Sequence, residues 1–375
     1  QLRDRSTAIE CFRTALRTTP TDIPSLEALS GLVQDATQRR VLSETFEAAA
    51  REEHRERFTA ALPRQLGAAA RLRNDKDLQF CATQSLLALG VATPEERTAA
   101  DEHTAMVRRV RAHQPLSDTS LNLFRAPGDT GVTAEFAQLV GETLTHASGM
   151  EPSFFNVGRG ELSSTKPSAL REELTQISEA LAAPLSDIYV GGSDAARVTC
   201  FHGKKERATW VIGAGVIAPL DTARRYHAGR AAFATYAGSI AWLDRPAEEG
   251  ALLLLAAAAA AEVVLPAAAS VPGLTEWARA ISKAMPRKLR KPVADLAAQL
   301  PAGGSQLVAY CRSAKQSAAR AGLTVSGDLH GTLSHLHGRE PRVAEIQSSP
   351  YLEDLVLFWT SRDALTLRRE LGLAT

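Results

Sequence analysis

Apolar positions in the first 115 residues recur at helical spacing. Ala8, Phe12 and Ala15 lie three or four residues apart on one face, and Leu26, Leu29 and Val33 begin a second helix after Pro20. Gly90 marks a helix stop. Thr93-Pro94-Glu95-Glu96 then supplies an N-cap, a proline at the first helical position and a carboxylate three residues after the cap, so another helix starts there. From 113 to 165 the rhythm breaks. Gln114-Pro115, Ala126-Pro127-Gly128 and Gly158-Arg159-Gly160 punctuate short apolar pieces, with one helix expected near Ala134 to Thr145. An amphipathic helix follows from about Pro167, with Leu170, Leu174, Ile177 and Leu181 on one side. Three short β-branched or aromatic runs come next: Ile188-Tyr189-Val190, Val198-Thr199-Cys200-Phe201 and Thr209-Trp210-Val211-Ile212. After Leu220 the pattern is helical almost to the end. Starts are visible at Asp244-Arg245-Pro246, Ser349-Pro350 and Ser361, and stops at Gly322 and Gly372.

These elements predict a mainly α chain with a small β-sheet. The expected organisation is helical repeats over 1–112, a connector over 113–165, and an α+β domain over 166–375. The segment from Ala8 to Pro20 resembles the second helix of a tetratricopeptide repeat, whose signature ends in A-x3-F, a small residue and a terminal proline. The resemblance implies stacked helix pairs with a groove for a protein or peptide partner.

Composition narrows the classes. With 375 residues, 45% hydrophobic and 23% charged, the chain is long enough for two cores. A net charge of +1 gives no global case for nucleic acid or an anionic membrane. The stretch from Ala251 to Pro266 is shorter than the roughly 20 apolar residues of a span and contains Glu262, so it reads as a buried helix. Cys11, Cys81, Cys200 and Cys311 lie far apart without CxxC spacing, the pattern of free, mostly buried thiols in the cytoplasm. The chain starts at Gln1 directly in a helical pattern, which reads as a fragment continuing upstream.

Two readings compete for residues 209–244. In the first, Gly213-Ala214-Gly215-Val216-Ile217-Ala218 fits G-x-G-x-x-A after an apolar strand, making Gly213, Gly215 and Ala218 a dinucleotide loop and Asp244 its downstream acid. Pro219 would then fall in the first turns of the phosphate-binding helix, and Asp244 lies beyond the usual spacing.

In the second reading, Ala208 to Ile217 resembles the edge strand and glycine turn that precede the HExxH helix in zinc metallopeptidases of the HtpX and CAAX-prenyl-protease type. Leu220-Asp221 is similar to the start of that helix, and Lys315 to Gly322 to the E-x-x-A-D helix bearing the third ligand. Leu89 to Arg97, Gly229-Arg230-Ala231, Ala321-Gly322-Leu323, Gly327-Asp328-Leu329 and Leu367 to Leu373 further resemble phrases of tetratricopeptide-containing bacterial proteins, chiefly myxobacterial, that carry a degenerate form of this domain. The chemistry needs two imidazoles one helical turn apart on Zn²⁺ and a Glu beside the first. By this resemblance those positions hold Gly229, Arg230 and Phe233, the distal Glu is Lys315, and its companion Asp is Ala319. No His-Glu dipeptide occurs anywhere, so HExxH is absent. The expectation is a pseudoenzyme without metal or cofactor, acting as a scaffold, in which Arg230 and Lys315 form an anion-binding pair where Zn²⁺ sits in active relatives.

Other motifs add little. His227 has Ala231 at i+4. His330 and His337 share a helical face only two turns apart, about 10 Å, so neither they nor His335 predicts a metal site. Ser163-Ser164-Thr165-Lys166 matches S-x-x-K without its companions SDN and KTG. The run from Lys283 to Lys291 carries five cations and no acid, and reads as a solvated face that can meet an acidic partner, phosphate or a lipid headgroup.

Overall fold

The computed structural model describes residues 2–54, 58–104, 109–111, 114–163, 165–203, 207–266 and 271–374. The chain is mainly helical with one three-stranded sheet among these residues, as the periodicity predicts. It divides into two compact units. One comprises 1–108 with 328–366 and 374–375; the other comprises 109–327 with 367–373.

In the first unit, α1 (Leu2–Thr18) packs on α2 (Ile23–Leu32), which packs on α4 (Ala61–Arg73); α4 also takes α3 (Ala36–Glu53) and α5 (Lys76–Ala88), and α6 (Pro94–Thr104) packs on α5. The apolar spacing sets the contacts: Leu26, Phe46, Ala68 and Ala69 form a small core that Leu16, Ile23, Leu42 and Leu72 cover. Local chemistry sets the ends. Gly90 takes the left-handed conformation (φ 67°) that closes α5, with Val91 N bonded to Leu86 O at 3.1 Å. Thr93 Oγ1 accepts from Glu96 N at 3.2 Å while Thr93 N donates to Glu96 Oε2 at 2.8 Å, a reciprocal box that starts α6.

Helices α15 (Leu329–His337), α16 (Val343–Gln347) and α17 (Pro350–Trp359) belong to this same unit, although 166–375 was expected to form one domain. Trp359 meets Phe80 edge-on at 6.2 Å, His330 N donates to Gln84 Oε1 at 3.2 Å, and Arg51 reaches Thr360 O at 2.7 Å. Contacts of this range leave no mark in local periodicity.

The second unit opens with α7 (Asp118–Asn122) and α8 (Gly131–Ala147). The stretch 113–165 was expected to be a connector, yet α8 is core: Phe136, Val140 and Leu144 are fully buried among residues of later helices. After α9 (Ala169–Ala180), strands β1 (Leu185–Val190), β2 (Val198–His202) and β3 (Ala208–Ile212) form a sheet of order β1-β3-β2. β3 is buried at every position, parallel to β1 and antiparallel to β2, with Trp210 opposite both Ile188 and Cys200. The strand expected at a sheet edge is therefore the central one.

Beyond the sheet come α10 (Thr222–Tyr236), α11 (Ala247–Ala260), α12 (Leu274–Ala284), α13 (Arg290–Ala297) and α14 (Gly304–Ser326), and α18 (Arg362–Glu370) ends the helical part of the chain. α11 is the buried helix expected from the alanine-leucine run, and no helix among the described residues is long and apolar enough to cross a membrane. Gly322 does not stop a helix. α14 runs through it to Gly327, whose φ of 71° ends the helix instead.

Candidate functional site

α10 begins where Asp221 caps it, the carboxylate accepting from Arg224 N at 2.8 Å. It lies directly on α14, with Gly229 and Tyr226 on one side and Ala321, Gly322 and Val325 on the other. Two glycines make the approach possible. A Cβ at Gly229 would stand 2.7 Å from Val325 Cβ, and one at Gly322 would stand 2.6 Å from Tyr226 O.

The five positions of the expected degenerate centre all lie on this helix pair, but they do not converge. Gly229 faces Val325 and Ala321, while Phe233 is buried edge-on against Phe124 at 5.4 Å and Ala319 is fully buried. Arg230 and Lys315 do come together, at the turn joining α10 to α11. Arg230 Nη1 donates to Asp244 Oδ1 at 2.7 Å and Nη2 to Leu243 O at 3.1 Å, and the Lys315 ammonium bonds to Arg245 O. Burial, with Arg230 alongside, holds that ammonium below the usual lysine range, and the acidic groups of Asp244, Cys311 and Glu248 offset part of the shift. Both cations thus clamp the 243–245 turn, and the expected anion seat is supplied from within by the Asp244 carboxylate.

The glycine loop after β3 is also satisfied internally. Gly213 N donates to Arg197 O and Gly215 N to Ala195 O, each at 2.9 Å. A Cβ on Gly213 would strike the Asp194–Ala195 backbone, so the glycines admit the turn preceding β2. Ala218 is followed by coil, the helix starts only at Thr222, and the N-terminal amide of Arg224 already faces a carboxylate. Asp244, the supposed ribose acid, is the partner of Arg230. A phosphate-binding strand–turn–helix sets the glycine loop directly on open helix amides, whereas here coil separates the two and the Asp221 carboxylate takes one of those amides.

Among the described residues no three His, Cys, Asp or Glu side chains gather as a metal ion requires. His330 Nε2 lies 3.3 Å from Glu340 and His337 Nε2 lies 3.4 Å from Glu345, while His335 is exposed. His227 sits beside the Tyr226 ring at 5.4 Å. In the S-x-x-K match, Ser163 N donates to Ile188 O at 2.7 Å, and Ser164 lies outside the described residues. None of the four cysteines is in a disulfide; Cys81, Cys200 and Cys311 are buried and Cys11 is exposed. Burial pushes the Cys200 and Cys311 thiols up to about 12, which makes them poor nucleophiles.

Sequence reasoning missed the buried polar groups. Arg125 Nη1 pairs with buried Asp129 at 2.9 Å, Ser317 Oγ accepts from Ala126 N at 2.8 Å, and Arg320 donates to Arg125 O at 3.0 Å, fixing the 125–129 turn to α14. Burial raises the Asp129 carboxyl despite Arg125, Ser317 and Tyr310 nearby. Glu173 likewise takes Arg225 and Leu220 N, each at 3.0 Å, holding α9 to the start of α10. Ser317 lies 191 residues from Ala126, and no motif announces such a partnership. On β2, burial and nearby His146 depress the His202 imidazole to about 4.

No family model, curated protein or solved structure matches this chain.

Proposed function

We propose that the protein is a non-catalytic scaffold. The helix pairs of the first unit, tetratricopeptide-like at Ala8 to Pro20, recognise a protein or peptide partner. The second unit is a metallopeptidase-like domain that has lost its chemistry and serves as a packing platform. One observation carries this reading: the helices that would hold a metal centre are locked together at Gly229–Val325 and Gly322–Tyr226, where a catalytic zinc needs three side-chain ligands and an open coordination position. The absence of any His-Glu dipeptide supports it.

The test combines elemental analysis with a hydrolysis assay. After dialysis against trace zinc the purified chain is expected to retain less than about a tenth of an equivalent. It should leave fluorescein-labelled casein uncut with or without added metal. One tightly held equivalent of zinc, or metal-dependent cleavage abolished by a chelator, would overturn the proposal.

A further inference from the structure

The second unit carries a surface that nothing in its own fold explains. Arg279 and Lys283 lie one turn apart on α12, opposite the stripe of Leu274, Ala278 and Ile281 that packs into the core. Arg287 and Lys288 follow in a 3₁₀ turn (Arg287–Leu289), and Arg290 and Lys291 open α13. All six side chains are exposed. None makes an ion pair among the described residues; Arg290 has one long bond, at 3.4 Å, to Ser282 O.

Two of these charges run against helix physics. The first turn of α13 contains no acid, its N-cap Leu289 offers no side-chain acceptor, and yet Arg290 and Lys291 stand there. A helix N-terminus favours negative charge, so cations at that end oppose the dipole. Local choices that stability disfavours concentrate at sites kept for another purpose. Here the six cations add to one positive field.

We infer that this surface, residues 279–291, docks a short Asp/Glu-rich segment of a partner protein. The site is local: exposed Glu276 and Asp295 bound it, and with 43 basic against 42 acidic residues overall, the rest of the chain is slightly acidic. A long duplex or a bilayer would also have to meet that remainder, whereas a short segment ends where the patch ends, within a screening length of about 8 Å. The stretch offers no exposed aromatic ring for stacking a base. It offers nothing to insert into lipid either, since Ile281, Met285 and Val293 are buried and Leu289 is half-buried against the core. This site lies outside the helix pairs of the first unit and stands without the scaffold reading.

Fluorescence anisotropy on the full chain tests it, with a labelled Glu-rich peptide, a Lys-rich control of equal length, duplex DNA and phosphatidylserine vesicles as probes. The acidic peptide should bind, the control should not, and raising salt from about 50 to 300 mM should weaken binding roughly tenfold. Combining Lys283→Glu, Arg287→Glu, Lys288→Glu and Lys291→Glu reverses exposed charges, and its fold is checked by circular dichroism. It should weaken binding at least tenfold more than Arg13→Glu with Arg17→Glu on α1, which makes half as many charge reversals elsewhere. Equal affinity of the two variants would overturn the inference. Tighter binding of the duplex or the vesicles than of the acidic peptide at the same salt would overturn it too, in favour of those partners.

Discussion

In the unit of residues 1–108 and 328–366, Glu47 is buried yet stays ionised. Arg51 reaches it at 2.9 Å, Arg73 at 2.6 Å and Arg362 at 3.5 Å, and His54 nearby bridges Gln65 at 2.9 Å and Thr59 at 3.1 Å. The unit of residues 109–327 has buried pairs too, Arg125 with Asp129 and Glu173 with Arg225, but several of its contacts also rest on glycines pressed against a neighbour. A Cβ at Gly141 of α8 would strike the Gly238 backbone, one at Gly229 would meet Val325, and one at Gly250 would stand 2.7 Å from the Trp242 ring. Long side chains with polar heads can readjust when a neighbour changes. Backbone pressed on backbone cannot, because close-packed interiors transmit a misfit rather than absorb it. The second unit should therefore be the brittle one.

The largest effect is expected at Gly141. Gly141→Leu places a branched side chain where Gly238 already sits at φ 75°, in a turn whose own geometry is fixed by Ser239 N bonding to Ala234 O at 2.8 Å. Overpacking against backbone should destabilise the second unit by about 3 kcal/mol or more. Chemical denaturation followed at Trp210 and Trp242, both buried in this unit, reads it out. A loss below about 1 kcal/mol would mean that α8 can shift away and that brittleness does not separate the two units.

How much of this was legible in advance depends on range. Helix ends written in four residues, such as Thr93 to Glu96 and Gly90, could be read directly, as could the three strands and the buried helix α11. Gly322 reads as a stop because a glycine that ends a helix and one that admits a neighbouring helix look alike in sequence; only Tyr226 O, 2.6 Å from where a Cβ would stand, separates them. The same limit applies to the candidate centre. The metallopeptidase resemblance implied that Arg230 and Lys315 lie near one another, but not their use as clamps on Leu243 and Arg245, since carbonyl partners carry no sequence signature.

Acid should separate the units next. Burial and His146 hold His202 neutral with a pKa of about 4, below its value of about 6.5 in an unfolded chain. Its contribution is complete above the unfolded value and lost as pH falls from about 6.5 through 4, a change of about 3 kcal/mol at most. Burial works against the Glu47 carboxylate, but Arg51 and Arg73 outweigh it and hold the group below the usual range, so its contribution is lost only at still lower pH. Denaturation from pH 7 to 3 should show the second unit weakening first, and His202→Gln should flatten that early fall. An unchanged pH profile in this variant would remove His202 as the cause.

The smallest effect is expected at the most local feature. Of the two exposed bonds at the start of α6, Thr93→Ala removes only the Glu96 N to Oγ1 one and keeps the backbone donation to Glu96, so water replaces much of what is lost. Loss of an N-cap usually costs about 1 kcal/mol. Because α6 packs on α5, that cost should appear as earlier fraying of α6 and faster amide exchange over its first turn, with the midpoint of the second unit unmoved. If Thr93→Ala instead lowered the stability of both units equally, they would unfold as one cooperative body, and the contrast between a tolerant first unit and a brittle second one would not survive.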